Sequence, residues 1–264
     1  MKIENNTILI TGGSNGIGLA LAERFLRHGN KVIICGRRQD KLDAAKSRLP
    51  RLHTRRCDVG DEAQRLDLHR WTTDHFPALN VLINNAGIQQ RIDLAAATSG
   101  GTTSVPSAPL PLWQRCKQEL AINLDAPIHL AALFVPHLKT QPDATIINVT
   151  SGLAFMPSVW APIYGATKAA MHSFTFSLRQ QLAAGTANPV KVIEIIPPAV
   201  NTDLGGAGLH TFGEPLDAFA DAIFRGLETD AQEIGYSYTT NTAGATRAEM
   251  ERRAMDMWGK RKRD

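Results

Sequence analysis

Tyr164 and Lys168 stand four residues apart in the run Tyr164-Gly-Ala-Thr-Lys168, within a segment rich in helix formers and free of proline to about Leu182. Side chains at that spacing share one face of a helix. A phenol, with a reference pKa of about 10, exchanges protons poorly at neutral pH. An ammonium group held beside it favours the phenolate and brings its pKa toward the working range. Ser151 lies just past the apolar run Thr145-Ile-Ile-Asn-Val149, which reads as a strand, so its hydroxyl is placed to meet the phenol across a cleft. Taken alone, a Tyr and a Lys at this spacing describe an ordinary solvated helix face. The surrounding pattern decides otherwise.

Thr7-Ile-Leu-Ile-Thr11 suits a buried parallel strand, and Gly12-Gly-Ser-Asn-Gly16-Ile-Gly18 follows it, leading into a helical pattern that stops at His28-Gly29-Asn30. Glycines between a strand and a helix let the backbone approach a diphosphate, whose charge then rests on the helix N-terminus. The next strand, Lys31–Cys35, ends in Gly36-Arg37-Arg38, and the first acid, Asp40, already belongs to the following helix. An acid at that strand end would accept from adenosine ribose hydroxyls, whereas arginine pairs with a 2′-phosphate. NADP(H) is therefore expected in preference to NAD(H); the competing reading is a solvated loop with two cations. A strand around Leu52–Cys57 runs into Asp58-Val59, where Asp58 either accepts from an adenine amine or, like Asp61, caps the helix expected over 61–76. The strand Asn80–Ile83 runs into Asn84-Asn85-Ala86-Gly87, whose small residues allow a cofactor to pack closely.

Residues 89–112 are small, polar and unpatterned, which predicts an exposed, mobile loop. A long helix follows from about Leu112, interrupted near Asn123-Leu-Asp-Ala-Pro127. Pro127 has no N–H to donate, so a kink beside Asn123 is expected, with a carbonyl able to hold a water. Met171–Leu178 is apolar on more than one face, which suits either core or a partner subunit. The sixth strand, Val190–Ile196, leads into Pro197-Pro-Ala-Val200-Asn-Thr202. Residues 199–214 are glycine-rich with apolar punctuation, the composition of a substrate-covering loop. Pro215 opens a helix, 233–239 offers an edge strand, and 259–264 is a basic, solvated tail. Leu153, Phe155, Met156, Trp160, Leu204 and Leu209 are the expected walls of a substrate pocket, and their character suits a modestly hydrophobic ketone or aldehyde.

Strand and helix alternate along the whole chain without repeats. The expected fold class is therefore α/β: a single Rossmann-type doubly wound domain over 1–264, with a mostly parallel six- or seven-stranded sheet flanked by helices. The 264 residues suffice for a large core, and the composition (43% hydrophobic, 20% charged) is that of a globular protein. A net charge of +4 permits an anionic ligand without demanding nucleic acid. No apolar run reaches the ~18 residues of a membrane helix, and the N-terminus has no apolar signal core. Three cysteines, never spaced as CxxC, argue against a disulfide framework or zinc site, and the eight histidines form no ligand motif. These features lead to an expectation of a cytoplasmic protein without metal, membrane or nucleic-acid partners.

Thr11-Gly-x-x-x-Gly-x-Gly18, Asn84-Asn-Ala-Gly87, Asn123, Ser151 and Tyr164-x-x-x-Lys168 together resemble the motif set of the short-chain dehydrogenase/reductase family, over residues 7 to about 230. Ile83-Asn-Asn-Ala-Gly-Ile-Gln89, Ser151-Gly-Leu-Ala-Phe155, Ala166-Thr-Lys-Ala-Ala170 with His172-Ser-Phe174, and Pro197-Pro-Ala-Val-Asn-Thr-Asp-Leu204 are similar to its DltE-type branch. The wider family usually has Pro-Gly where this chain has Pro197-Pro198. The resemblance implies Tyr164 as general acid in reduction and base in oxidation, and Lys168 holding the nicotinamide ribose and depressing the tyrosine pKa. It further implies Ser151 orienting the carbonyl oxygen and Asn123 holding a relay water. Cofactor contacts would come from Gly12, Ser14, Asn15, Gly16, Ile17, Gly18, Arg37, Arg38, Asp58, Val59, Asn85, Ala86, Gly87, Tyr164, Lys168, Pro197, Val200 and Thr202, and a homodimer or homotetramer is implied. An NADP(H)-binding sensor without turnover is the alternative from another class, and the complete Asn123, Ser151, Tyr164 and Lys168 set weighs against it. A serine hydrolase fails because Val149-Thr-Ser151-Gly-Leu153 lacks the glycine two residues before the nucleophile.

Overall fold

The structure, a computed structural model, describes residues 1–94, 110–183, 188–242 and 244–261, with side chains as far as Asp256. Seven strands, β1 (Thr7–Thr11), β2 (Lys31–Gly36), β3 (His53–Arg56), β4 (Leu79–Asn84), β5 (Thr145–Val149), β6 (Lys191–Ile196) and β7 (Glu233–Gly235), form one sheet in the order β3-β2-β1-β4-β5-β6-β7. Every pairing is parallel. The chain starts at the middle and winds outward in both directions, so the crevice at the strand carboxyl ends opens between β1 and β4, where the order reverses.

Alternate residues of each strand point to opposite faces, and both faces are buried. Ile8, Ile10, Val32, Ile34, Val81 and Ile83 pack with α1 (Gly16–Arg27) and α7 (Leu216–Leu227). Leu9, Ile33 and Leu82 point the other way, toward α3 (Glu62–His75), α5 (Ala126–Leu138) and α6 (Pro162–Ala183). A strand buried on both sides has no polar face to show, which is why these runs read as continuously apolar. Phe25, Phe134 and Phe219 are fully buried anchors of these layers; cutting any one to alanine would cost about 3–5 kcal/mol.

Two expectations need correction. The segment 89–112 is not one mobile loop: residues 88–92 are hydrogen-bonded to the helical spine behind them and to Trp160, and Leu112 is already buried at the start of α4 (Leu112–Leu120). Residues 95–109, its remainder, lie outside the described residues. The edge strand ends at Gly235, and a 3₁₀ turn, Ser237–Thr239, takes over as Thr239 Oγ1 bonds back to the Ile196 carbonyl at 2.6 Å. Of the basic tail 259–264, the part through Arg261 continues α8 (Arg247–Arg261), and 262–264 lie outside the described residues. Its mixed charges gave no apolar stripe to read.

The interruption expected near Asn123 is a π-helical turn, Ala121–Asp125, joining α4 to α5. Pro127, near the start of α5, has no N–H to offer the Asn123 carbonyl four residues back. The wider turn accommodates that missing bond, a recurrent feature of functional sites. By length and hydropathy the run Leu112–Leu138 could cross a membrane. Here Leu130, Ala131, Phe134 and Leu138 are instead buried against the sheet.

Candidate active site

The glycine loop is built by close approach. Gly12 has φ +64, where an L side chain is strained, and a Cβ there would lie 2.8 Å from the Ala86 Cα. A Cβ on Gly18 would lie 2.5 Å from Asn85 Nδ2 and 2.7 Å from the Gly12 carbonyl. Thr11 and Asn85 stitch the loop to the end of β4. Thr11 Oγ1 accepts from the backbone of Asn85 and Ala86 at 3.0 Å, and Asn85 Nδ2 donates to the Thr11 and Gly12 carbonyls at 2.9 and 3.1 Å. Asn85 thus acts on the loop's shape. Asn15 caps α1, accepting from Gly16 N at 2.8 Å. The first turn of a helix leaves N–H groups without intrahelical partners, and here it begins directly at the glycine loop. Gly18→Ala is expected to cost at least about tenfold in nucleotide affinity and about 1–3 kcal/mol in stability, checked by nucleotide titration and thermal denaturation.

At the end of β2, Arg37 and Arg38 are both exposed, with no acid before Asp40 in α2 (Gln39–Arg48). A Cβ on Gly36 would lie 3.2 Å from Ser14 Oγ, so the serine hydroxyl closes one side of this corner. Arg56 pairs in register with Gly36 and donates to the Arg37 carbonyl at 3.3 Å. Arg56 escaped the sequence reading because only the β2–β3 register brings it here. The ambiguity over the next loop resolves in favour of Asp61, which caps α3 by accepting from Gln64 N at 3.2 Å. Asp58 turns its carboxylate onto Gly60 N at 2.9 Å, and the neighbouring Val59 is buried.

On the other side of the crevice, Ser151 caps a short 3₁₀ turn, Gly152–Ala154, its Oγ accepting from Leu153 N at 3.1 Å. Tyr164 and Lys168 are buried on α6 as expected. Burial pushes the Tyr164 phenol above its ordinary value and outweighs the neighbouring Ser151, which pulls it down. Lys168 is pushed down to about 8 by burial. Its Nζ donates to the Val149 carbonyl at 2.8 Å and lies 5.5 Å from the Tyr164 ring centroid. The expectation that the lysine depresses the tyrosine pKa is therefore corrected: burial raises the phenol, and the ammonium is drawn to a main-chain oxygen at the end of β5.

Asn123 on the π turn spends its side chain on Ile88, accepting from the amide at 2.9 Å and donating to the carbonyl at 2.8 Å, and reaches Thr167 Oγ1 at 3.3 Å. A Cβ on Gly87 would lie 3.4 Å from Asn123 Oδ1 and 3.7 Å from Lys168 Nζ. Gly87, Asn123 and Lys168 therefore meet at one point. Asn84, by contrast, is buried and pairs with Asn148 at 2.9 Å, a structural link between β4 and β5.

The segment 199–214 returns to its own start: Asn201 N donates to the Glu214 carbonyl at 2.9 Å and Glu214 N to the Ala199 carbonyl at 2.8 Å. Val200 is buried, and Pro197 gives its carbonyl to Gly152 N at 2.8 Å. Asn15 Nδ2 donates to Asp203 at 3.0 Å, and the Thr202 methyl would lie 3.4 Å from a Cβ on Gly16. The loop thus spans the glycine turn. Of the expected walls, Met156 is buried, Leu153, Phe155 and Leu204 are half-buried, and Trp160 and Leu209 are exposed. Phe155 packs edge-on against His172 at 4.6 Å, and the Arg91 guanidinium sits 5.1 Å from the Trp160 ring centre.

Two groups went unread in the sequence. Tyr238, far along the chain, places its ring 3.2 Å from where a Gly152 Cβ would be, and its hydroxyl accepts from Ala199 N at 3.2 Å. His172, Glu194 and Glu233 bring possible ligand atoms within 4.8 Å of one another. Their charges are already met, Glu194 by Thr150 Oγ1 at 2.6 Å and His172 Nδ1 at 2.9 Å, and Glu233 by Arg179 at 3.6 Å. They come from a helix and two strands, so no spacing could announce them.

Residues 6–209 match the short chain dehydrogenase family model, and the chain belongs to that family. It is 45% identical over 257 residues, 96% of each chain, to the uncharacterized oxidoreductase DltE of Bacillus subtilis strain 168. Among solved structures it resembles a short-chain dehydrogenase from Burkholderia cenocepacia in complex with NADP (TM-score 0.77, 24% identity, covering 96% of this chain and 99% of that one). It also resembles one from Sphingobium yanoikuyae in complex with NADPH (TM-score 0.75, 24% identity, 89% of each).

Proposed function

We propose that the protein is an NADP(H)-dependent oxidoreductase that interconverts a ketone or aldehyde with an alcohol, Tyr164 serving as general acid in reduction and general base in oxidation. The observation that carries this reading is the placement of Ser151, Tyr164 and Lys168, all buried at the strand ends beside the glycine loop, with Gly87 next to Lys168 Nζ. Hydride arrival at a carbonyl carbon builds negative charge on its oxygen, and two converging hydroxyls are suited to receive it. A phenol kept protonated by burial enters reduction ready to donate.

The glycine loop and the α1 N-terminus fit a dinucleotide diphosphate, with contacts at Gly12, Asn15, Gly16, Ile17 and Gly18. Ser14, Arg37 and Arg38 fit a 2′-phosphate, and Asp58, Val59, Ala86 and Gly87 fit the adenosine side. Pro197, Val200 and Thr202 lie toward the nicotinamide. The bound cofactor supplies the hydride. Lys168 holds the ribose and a positive charge below Tyr164, and Asn123 fixes Ile88 and offers the main-chain oxygen beside which a relay water sits. The NADP and NADPH complexes of the structural neighbours support the choice of cofactor.

Leu153, Phe155, Met156, Trp160, Leu204 and Leu209 would face a modestly hydrophobic substrate. Exposed Trp113 on α4 and Phe176 on α6 support a homodimer or homotetramer, and a cytoplasmic location accords with the cysteine usage. A panel of carbonyls and alcohols followed by NADPH absorbance tests the reading; activity confined to highly charged substrates would overturn the pocket assignment. With the Lys168 pKa near 8, the ammonium is fully charged below that pH and is lost as pH rises through it. The reduction rate is therefore expected to fall above about pH 8 in a pH–rate profile.

A further inference from the structure

Arg115, Glu119 and Asn123 follow one another at four-residue intervals along α4 and the π turn, and all three grip the extended segment that leaves Gly87. Asn123 takes both main-chain groups of Ile88. One turn back, Glu119 Oε1 accepts from Gln90 N at 3.1 Å. A further turn back, Arg115 donates to the Arg91 carbonyl at 2.7 Å, and its backbone carbonyl and guanidinium both bond the Gln90 amide. The middle member is unlike the others. Glu119 is wholly buried, and its Oε2 is buried with no hydrogen-bond partner.

A buried carboxylate oxygen without a protein donor is costly, and an apolar residue would fill the space more cheaply. Stability alone does not account for it. The groups whose charge or hydrogen bonds bear on it are Arg115 and Cys116 on its own helix, Gln90 on the segment, and Tyr164 and Lys168 on α6. Lys168 is itself a buried cation bonded to a neutral carbonyl, and Glu119 and Glu194 are the carboxylates whose field favours its charge.

We propose that Glu119 is a positioning residue for the Tyr164–Lys168 pair: it pins the segment beyond Gly87 through Gln90 and lends that pair the charge of a buried carboxylate. The inference rests on reading that pair as the reacting one. Burial raises Glu119 to about 7 and lowers Lys168 to about 8, so each titrates where the other's charge matters most.

Glu119→Gln keeps an oxygen for Gln90 N and removes the charge. NMR titration of the Lys168 ammonium in the full-length protein is expected to show its pKa lowered by at least about half a unit in this variant. The high-pH limb of the reduction profile should move down with it, while exchange protection of the Gln90 amide is retained. Glu119→Ala is expected to speed exchange at Gln90 by about tenfold. A Lys168 titration unchanged in the Gln variant overturns the field, and unchanged Gln90 protection in the Ala variant overturns the clamp. The NMR readouts need no turnover: a shifted lysine in a protein inactive on every carbonyl would sink the reductase reading alone, and full turnover with an unmoved lysine would sink this one alone.

Discussion

Tyr164→Phe is expected to lower kcat for carbonyl reduction by about 10²–10⁴-fold while leaving NADPH affinity within about twofold. Phenylalanine keeps the ring, which is buried on α6, so packing is preserved and only the hydroxyl that meets Ser151 is lost. Ser151 Oγ keeps its bond from Leu153 N, so the lost hydroxyl is expected to cost only about 1 kcal/mol, and lost turnover will not be confused with unfolding. Steady-state kinetics with a parallel fluorescence titration of NADPH separates the two effects. Turnover at the wild-type level would move the proton donor elsewhere, and Tyr238, the other phenol near Ser151, would be the next candidate.

Replacing Arg37 and Arg38 together by alanine is expected to weaken NADPH binding by about 10–100-fold and leave NADH binding nearly unchanged. Both guanidiniums are exposed at the end of β2, and the nearest acid in sequence lies within α2. Arg56 remains beside them through its bond to the Arg37 carbonyl, so the double variant should keep some preference for the phosphorylated cofactor. Adding Arg56→Ala should remove it. Calorimetric titration of both nucleotides checks this, and an equal loss for NADH and NADPH would show that the arginines serve the fold.

Much of this was legible because local chemistry and tertiary position coincide. The continuously apolar strands could only be buried on both faces, and the glycines before α1 had a close approach to permit. Pro127 announced the irregular turn at Asn123, because the N–H it lacks is the one a regular helix would need there. Electrostatics were less legible. The Tyr164–Lys168 spacing was right, yet the direction of the phenol's shift was not, because burial is a property of the whole fold and spacing carries no measure of it. Asp58 and Asp61 look alike in sequence, and only the helix start separated them. Glu119, Arg56 and Tyr238 were missed for a shared reason: each acts through a neighbour brought in by sheet register or helix packing. No local pattern marks such a neighbour.

Transfer of the label from C4-deuterated NADPH, prepared as each of the two stereoisomers, to a turned-over ketone is the most direct test of the account. Deuterium on the carbinol carbon of the product from one isomer and not the other, abolished in Tyr164→Phe, is the predicted result. NADPH that binds in the crevice but gives no labelled alcohol with any carbonyl, or label transfer undiminished in Tyr164→Phe, would contradict it.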